Sequence, residues 1–291
     1  MSPQAVGRQP GRLARRPHNV KLSVVMTYAA LTLASVAMLL PIAWAVVTSL
    51  KPEGLAVRYP PQLVPDPATL ANYGDVLGGS LPRYMFNSGL LAGGTILATL
   101  TVAALGAYAA ARLRFAGKDA LLLLIMATVM IPGVSVVVPL FLMVSKVGLT
   151  NTYQALILVY TAWHVPLVLW LLRGFFETIP SELDDAAAID GCNRWQAFWL
   201  IALPLIRPGL AAAAVIVFIG VWNEFLFGLA LTSSSDMRPV QTGVYLELNT
   251  YGIPWARLMA GVIVSLLPVV VMFLFTQRHL IRGLTAGATK G

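Results

Sequence analysis

Five carboxylates crowd one short stretch, FETIPSELDDAAAIDG at residues 176–191: Glu177, Glu182, Asp184, Asp185 and Asp190, with no Lys or Arg among them. The whole chain holds only 12 acids against 20 Lys and Arg. Acids so placed either serve a helix start or select a basic partner surface. Locally, residues 180–208 read as two short helices. Pro180 and Ser181 open the first, with Ser181 as cap and Asp184 completing an S-x-x-D capping box. Glu182, Asp184 and Asp185 occupy its first turn, where the helix dipole favours negative charge. Leu183, Ala186, Ala187 and Asp190 share a face at spacings of three and four. Gly191 supplies a left-handed residue to end that helix. Asn193 starts the second with Gln196 at the matching capping position, and Pro204 closes it. Trp195, Phe198, Trp199 and Ala202 form its apolar stripe. A well-capped surface helix accounts for the first-turn acids. The three adjacent alanines and the tight helix–Gly–helix shape point further, to a hairpin that lets another backbone approach and draws a basic groove.

Reaction chemistry is missing elsewhere. No G-x-x-x-x-G-K-[ST] phosphate cradle occurs, so the chain is not expected to bind and split ATP. No HExxH, GxSxG or paired His/carboxylate pattern supplies a nucleophile and base. A single Cys192 excludes internal disulfides, four-ligand Cys zinc sites and CxxC redox pairs. His18, His164 and His279 are too scattered for a metal cluster. No catalytic residue, metal or bound cofactor is expected.

What positions the acidic hairpin is a membrane domain. The 291 residues are 58% hydrophobic and 11% charged, with mean hydropathy +0.77. Soluble domains carry about 25% charged residues. Uncharged runs of 20 to 29 residues separate Lys21 from Lys51, Arg83 from Arg112, Asp119 from Lys146, Lys146 from Arg173 and Arg257 from Arg278. A sixth, Arg207 to Asp236, is interrupted only by Glu224. A helix needs about 20 apolar residues to cross the hydrocarbon, so six spans are expected, in an all-α polytopic membrane fold. The runs do not alternate in the manner of barrel strands. The apolar stretch after the basic start is about twice the length that a cleaved signal uses. With both termini in the cytoplasm, 14 of the 20 basic residues face that side, which is the expected orientation. The net charge of +8 belongs to those flanks rather than to nucleic-acid binding. The acidic hairpin then falls in the cytoplasm, between spans four and five.

Polar groups inside spans face a partner or a cavity. Glu224, sixteen residues after Pro208, should lie roughly 24 Å along the fifth helix at 1.5 Å per residue. It either lines a cavity or pairs with Arg257 or Arg83. Asn87 and Asn223 could bond across helices. Tyr160, Trp163, His164 and Trp222, with Asn223 and Glu224, group aromatic faces with hydrogen-bond donors and are the candidate path for a polar solute; interfacial anchoring is the competing use of such aromatics. Pro132, Pro139, Pro166 and Pro268 should kink their spans.

The run Asp185-Ala186-Ala187-Ala188-Ile189-Asp190-Gly191, then Ile201-Ala202-Leu203-Pro204, resembles the EAA motif of bacterial ABC importer permeases, E-A-A-x-x-x-G followed by I-x-L-P. The leading Glu is Asp185 here, one methylene shorter, with Asp184 and Glu182 as neighbouring substitutes. Ser49-Leu50-Lys51, Asn72-Tyr73, Asn87-Ser88, Trp222-Asn223-Glu224-Phe225 and the tail from Gly283 to Gly291 are similar to the carbohydrate-uptake, MalG-like branch. This resemblance implies a type I ABC importer permease fold in the bacterial cytoplasmic membrane. It implies a sugar, di- or oligosaccharide, as substrate, and three partners: a second permease subunit in a heterodimer, a dimeric cytoplasmic ATPase carrying ATP and Mg, and an extracytoplasmic substrate-binding protein. ATPase coupling would fall to Glu182, Asp184, Asp185, Ala186, Ala187, Asp190, Gly191, Arg194, Leu203 and Pro204. Thr285, Gly287 and Lys290 would contact the ATPase from the tail. The organisation is a basic arm at 1–21, a permease domain at 22–282 with its coupling loop at 177–208, and a tail at 283–291. A glycerol phosphate or polyamine importer is the alternative, and a membrane scaffold without transport the more distant one.

Overall fold

In the computed structural model, residues 19–250 and 253–286 are described, with side chains over 22–246 and 253–276. Their regular elements are helices: α1 (Asn19–Ser49), α2 (Ala71–Gly78), α3 (Leu81–Arg112), α4 (Lys118–Ala127), α5 (Gly133–Lys146), α6 (Tyr153–Glu177), α7 (Glu182–Ile189), α8 (Arg194–Ala197), α9 (Leu203–Leu205), α10 (Arg207–Trp222), α11 (Leu226–Leu231), α12 (Val240–Thr250) and α13 (Trp255–Ala286). α1, α3, α6 and α13 are each long and apolar enough to cross a membrane. Among the described residues the count reaches six only by taking two bent pairs as spans. One is α4–α5, bent by 99°; the other joins 194–205 to α10 at 75°. The third expected span is therefore not a continuous helix, and the fifth, from Arg207 to Asp236, is interrupted after Trp222, between α10 and α11. Pro132 breaks the third by standing at the N-cap of α5, where its missing N–H costs nothing. Pro139, Pro166 and Pro268 instead lie inside continuous helices.

The centre of the bundle is the α3–α6 pair, with α10 against both. Small residues on α3 bring these backbones together. Ala103 and Ala107 are fully buried. A Cβ at Gly94 would come within 2.6 Å of Ile157 Cδ1, and one at Gly106 within 2.9 Å of Leu169 Cδ1. α1 rests mainly on α13, leaving most of its apolar surface uncovered within the chain.

Polar groups lock the end opposite the hairpin. Asn72 Nδ2 donates to the carbonyls of Ser49 and Lys51, each at 2.8 Å, and the hydroxyls of Tyr73 and Ser49 meet at 2.7 Å. Glu53 accepts from the backbone N–H groups of Ala256 and Arg257 at 3.2 Å, capping the start of α13. Asn87, buried on α3, does bond across elements: its Nδ2 reaches the carbonyls of Asp236 and Arg238, and it accepts from the Tyr153 hydroxyl at 2.6 Å. Ser88 Oγ accepts from Val240 N at 2.8 Å.

Candidate functional site

The acidic stretch forms the expected hairpin, with local corrections. α7 ends on a complete Schellman motif. Cys192 N donates to Ala187 O at 2.9 Å and Gly191 N to Ala188 O at 3.1 Å, with Gly191 at φ +82°. Asn193 and Gln196 exchange both capping-box bonds at 2.9 Å. Ser181 does not cap: it is already in the right-handed helical region and its hydroxyl makes no cap bond. The turn starts one residue earlier, from the Pro180 carbonyl to Leu183 N. Pro204 does not close the second helix. The chain passes from α8 through a π-helical turn, Phe198–Ala202, into α9, and breaks at Ile206. A proline that cannot donate to the preceding turn loosens that turn into the wider winding.

Both expected apolar faces split in two. Ala187 is 3% exposed and turned inward, whereas Leu183, Ala186 and Ile189 look outward, Ile189 at 87% exposure. Phe198 and Ala202 are buried, while Trp195 and Trp199 stay exposed. Phe198 is the hub beneath the hairpin. Its ring centroid lies 5.1 Å from Tyr108 on α3 and 6.3 Å from Phe176 on α6, with Trp195 at 5.9 Å on its outer side.

The acids divide likewise. Glu177 pairs with Arg173 one turn earlier at 2.7 Å. Asp184 faces inward, its Oδ2 2.7 Å from Nε of Arg112 at the end of α3. That contact is an ion pair and not a directed hydrogen bond, because the Nε–H does not point along it. Arg112 Nη2 donates to the Ile179 carbonyl at 2.9 Å. Among the described residues, Glu182, Asp185 and Asp190 form no ion pair and are exposed, as are Gly191 and Arg194. Leu203 and Pro204 sit in α9 beyond the π turn. The backbone of Thr285 lies in the last turn of α13; its side chain, Gly287 and Lys290 are outside the described residues.

The candidate path residues do not form one surface. Glu224 is not on a continuous helix: α10 stops at Trp222, and the carboxylate caps α11. It accepts from Phe227 N at 2.8 Å, from Gly228 N at 3.0 Å and from the Tyr160 hydroxyl at 2.7 Å. The expected pairing with Arg257 or Arg83 is absent among the described residues; Arg83 donates to the Asp236 carbonyl instead. Tyr160 is 1% exposed. His164 donates from Nδ1 to the Tyr160 carbonyl at 2.7 Å, and its Nε2 fills the space beside Gly220. Trp222 is buried, stacked on Phe218 and donating to Ser265 O at 3.1 Å. Asn223 bonds within its own helix, to Ile219 O, and does not cross to another. Trp163 alone of the aromatics shows a large face, 40% exposed. With Ile131, Val136, Leu140, Val159 and Phe227 it lines an apolar cleft of about 220 Å³ at the α4–α5 elbow.

Residues 102–285 match the family described as binding-protein-dependent transport system inner membrane component. The chain belongs to this family. The permease match takes in the last third of α3, the hairpin and everything to the last turn of α13. The chain is 39% identical to the trehalose/maltose transport system permease protein MalG of Thermococcus litoralis, over 87% of this chain and 92% of that one. It is 36% identical to the sulfoquinovosyl glycerol transport system permease protein SmoH of Agrobacterium fabrum, over 87% and 89%. In fold it resembles a chain of a bacterial ABC transporter involved in import of the acidic polysaccharide alginate, with TM-score 0.79 and 20% identity over 91% of this chain and 98% of that chain. The permease is thus a membrane-embedded transport subunit and not an enzyme. Two residues that hold the hairpin to the bundle escaped the sequence. Arg112 reads as one more basic flank, and nothing in the spacing joins it to Asp184. Phe198 reads as one member of a stripe, with no sign that Tyr108 and Phe176 meet it.

Proposed function

We propose that this permease forms half of the membrane pathway of an ATP-driven importer for di- or oligosaccharides, and that the hairpin at 177–208 seats on its ATPase. The observation that carries the proposal is the hairpin's two-sidedness. Its inner side is bonded to α3 and α6, while Ile189, Leu183, Glu182, Asp185 and Asp190 are presented outward on a turn closed at Gly191. An exposed apolar tip ringed by unpaired acids suits a cleft with an apolar floor and a basic rim. The relative from Thermococcus litoralis is a permease for the disaccharides trehalose and maltose, which supports the substrate class. Glu224, the only charge within the uncharged runs, is occupied by α11 and Tyr160. That leaves no counter-charge there for glycerol phosphate or a polyamine. The basic flanks support cytoplasmic termini. A second permease subunit, a dimeric ATPase with ATP and Mg, and an extracytoplasmic receptor complete the complex.

The test is receptor-dependent ATP hydrolysis by the full complex in liposomes. Stimulation by receptor loaded with a di- or oligosaccharide, and not by glycerol phosphate or polyamine, is expected. Stimulation by either of the latter alone would refute the substrate class.

A further inference from the structure

The hairpin meets the bundle through two covalent joints, neither of which is regular α-helix. One is the 178–181 link between α6 and α7; the other is the break at Ile206, where the chain turns by 75°. A load applied to the tip could be absorbed by bending at either joint. One side-chain clamp spans the first. Arg112 closes α3, and its guanidinium touches Asp184 on α7 and the Ile179 carbonyl inside the link itself, at 2.7 and 2.9 Å. Its side chain is 15% exposed and that of Asp184 27%, so water screens the pair only in part. Beside it, Phe198 presses on Tyr108 and Phe176, which are themselves 5.5 Å apart. Arg112 is separated from Asp184 by the whole of α4, α5 and α6, so the clamp is not a by-product of local helix formation.

We infer that Arg112 and Asp184 are positioning residues of the transport cycle: their ion pair fuses the hairpin to the end of α3, so that displacement of the tip moves the α3–α6 pair instead of flexing the 178–181 link. This rests on the hairpin being the ATPase seat, and it removes Asp184 from the docking acids. Glu182, Asp185 and Asp190 are left for the partner. Arg112 makes the two contacts from different nitrogens of one rigid guanidinium, Nε beside Asp184 and Nη2 on the Ile179 carbonyl, a spacing that a single ammonium does not reproduce.

The experiment compares the wild-type complex with Arg112→Ala, Asp184→Asn, Arg112→Lys and the swap Arg112→Asp/Asp184→Arg, all in liposomes with loaded receptor. Two quantities are read: ATPase co-purified with the permeases, and sugar moved per ATP hydrolysed. The single variants should keep the ATPase while sugar per ATP falls at least about fivefold, the lower end of ordinary coupling between sites. Arg112→Lys, which keeps the charge and hence assembly, should show a smaller fall. The swap should recover part of the loss. Wild-type sugar per ATP in Arg112→Ala and Asp184→Asn overturns the clamp, as does loss of the ATPase from Asp184→Asn but not from Arg112→Ala. Ile189→Asp separates the two ideas. If it strips the ATPase while the Arg112 variants stay coupled, the clamp alone fails. If the ATPase stays bound to Ile189→Asp, the reading of the hairpin fails and takes the clamp with it.

Discussion

Glu224→Ala should destabilise this permease before it does anything else. The carboxylate takes three donors: Phe227 N and Gly228 N at the start of α11, and the hydroxyl of Tyr160. Losing an N-cap of this kind costs about 0.5–2 kcal/mol. Tyr160 is 1% exposed, so its hydroxyl would be left buried without a partner, for about 1–3 kcal/mol more. The sum, about 2–5 kcal/mol, corresponds to a fall in apparent melting midpoint on the order of 5–10 °C. Glu224→Gln keeps one acceptor for α11 and an amide that can donate to Tyr160, and should cost about 1 kcal/mol. The double variant Glu224→Ala/Tyr160→Phe removes the stranded hydroxyl and should be more stable than Glu224→Ala alone. Thermal unfolding of the detergent-purified complex measures all three. If Glu224→Ala melts with the wild type yet fails to transport, the carboxylate faces the substrate and not α11, and the reasoning is refuted.

Gly220→Ala places a Cβ on His164 Nε2 and should cost about 1–3 kcal/mol as overpacking, relieved by adding His164→Ala; unfolding midpoints check both. Asn72→Ala frees the Ser49 and Lys51 carbonyls and should cost about 1–3 kcal/mol, with hydrogen exchange rising at the end of α1. Gly191→Ala forces a side chain to φ +82° for about 1–2 kcal/mol, and Gly191→Pro also deletes the N–H that bonds Ala188. Both should leave membrane insertion intact, and uptake assays should show transport falling further in Gly191→Pro.

Legibility tracked the range of the interaction. Six apolar runs and the acidic hairpin are visible because hydropathy and capping act within a few residues; Gly191 and the Asn193–Gln196 box form as their spacing predicts. The bend at Pro132 and the break after Trp222 were hidden, because an apolar run looks the same whether its helix is straight, interrupted or folded at 99°. Ser181 illustrates the weakness of a two-residue motif: Asp184 answers to Arg112 on another helix, and a helix can start from a backbone carbonyl without a side-chain cap. Polar residues in the spans find partners within the chain that spacing alone does not reveal. Glu224 satisfies a broken helix and a tyrosine, and Trp222 a carbonyl on α13, since buried donors and acceptors must be paired before they can serve a substrate.

The most direct test of the central claim is cysteine cross-linking from the hairpin tip to the ATPase. In a Cys192→Ser background, Ile189→Cys at the exposed tip and Met130→Cys at the α4–α5 elbow receive the same short bifunctional reagent in the assembled complex. Cross-links to the ATPase from position 189, modulated by ATP, and none from position 130 are predicted. ATPase adducts absent at 189, in a complex that still hydrolyses ATP on receptor addition, would contradict the account.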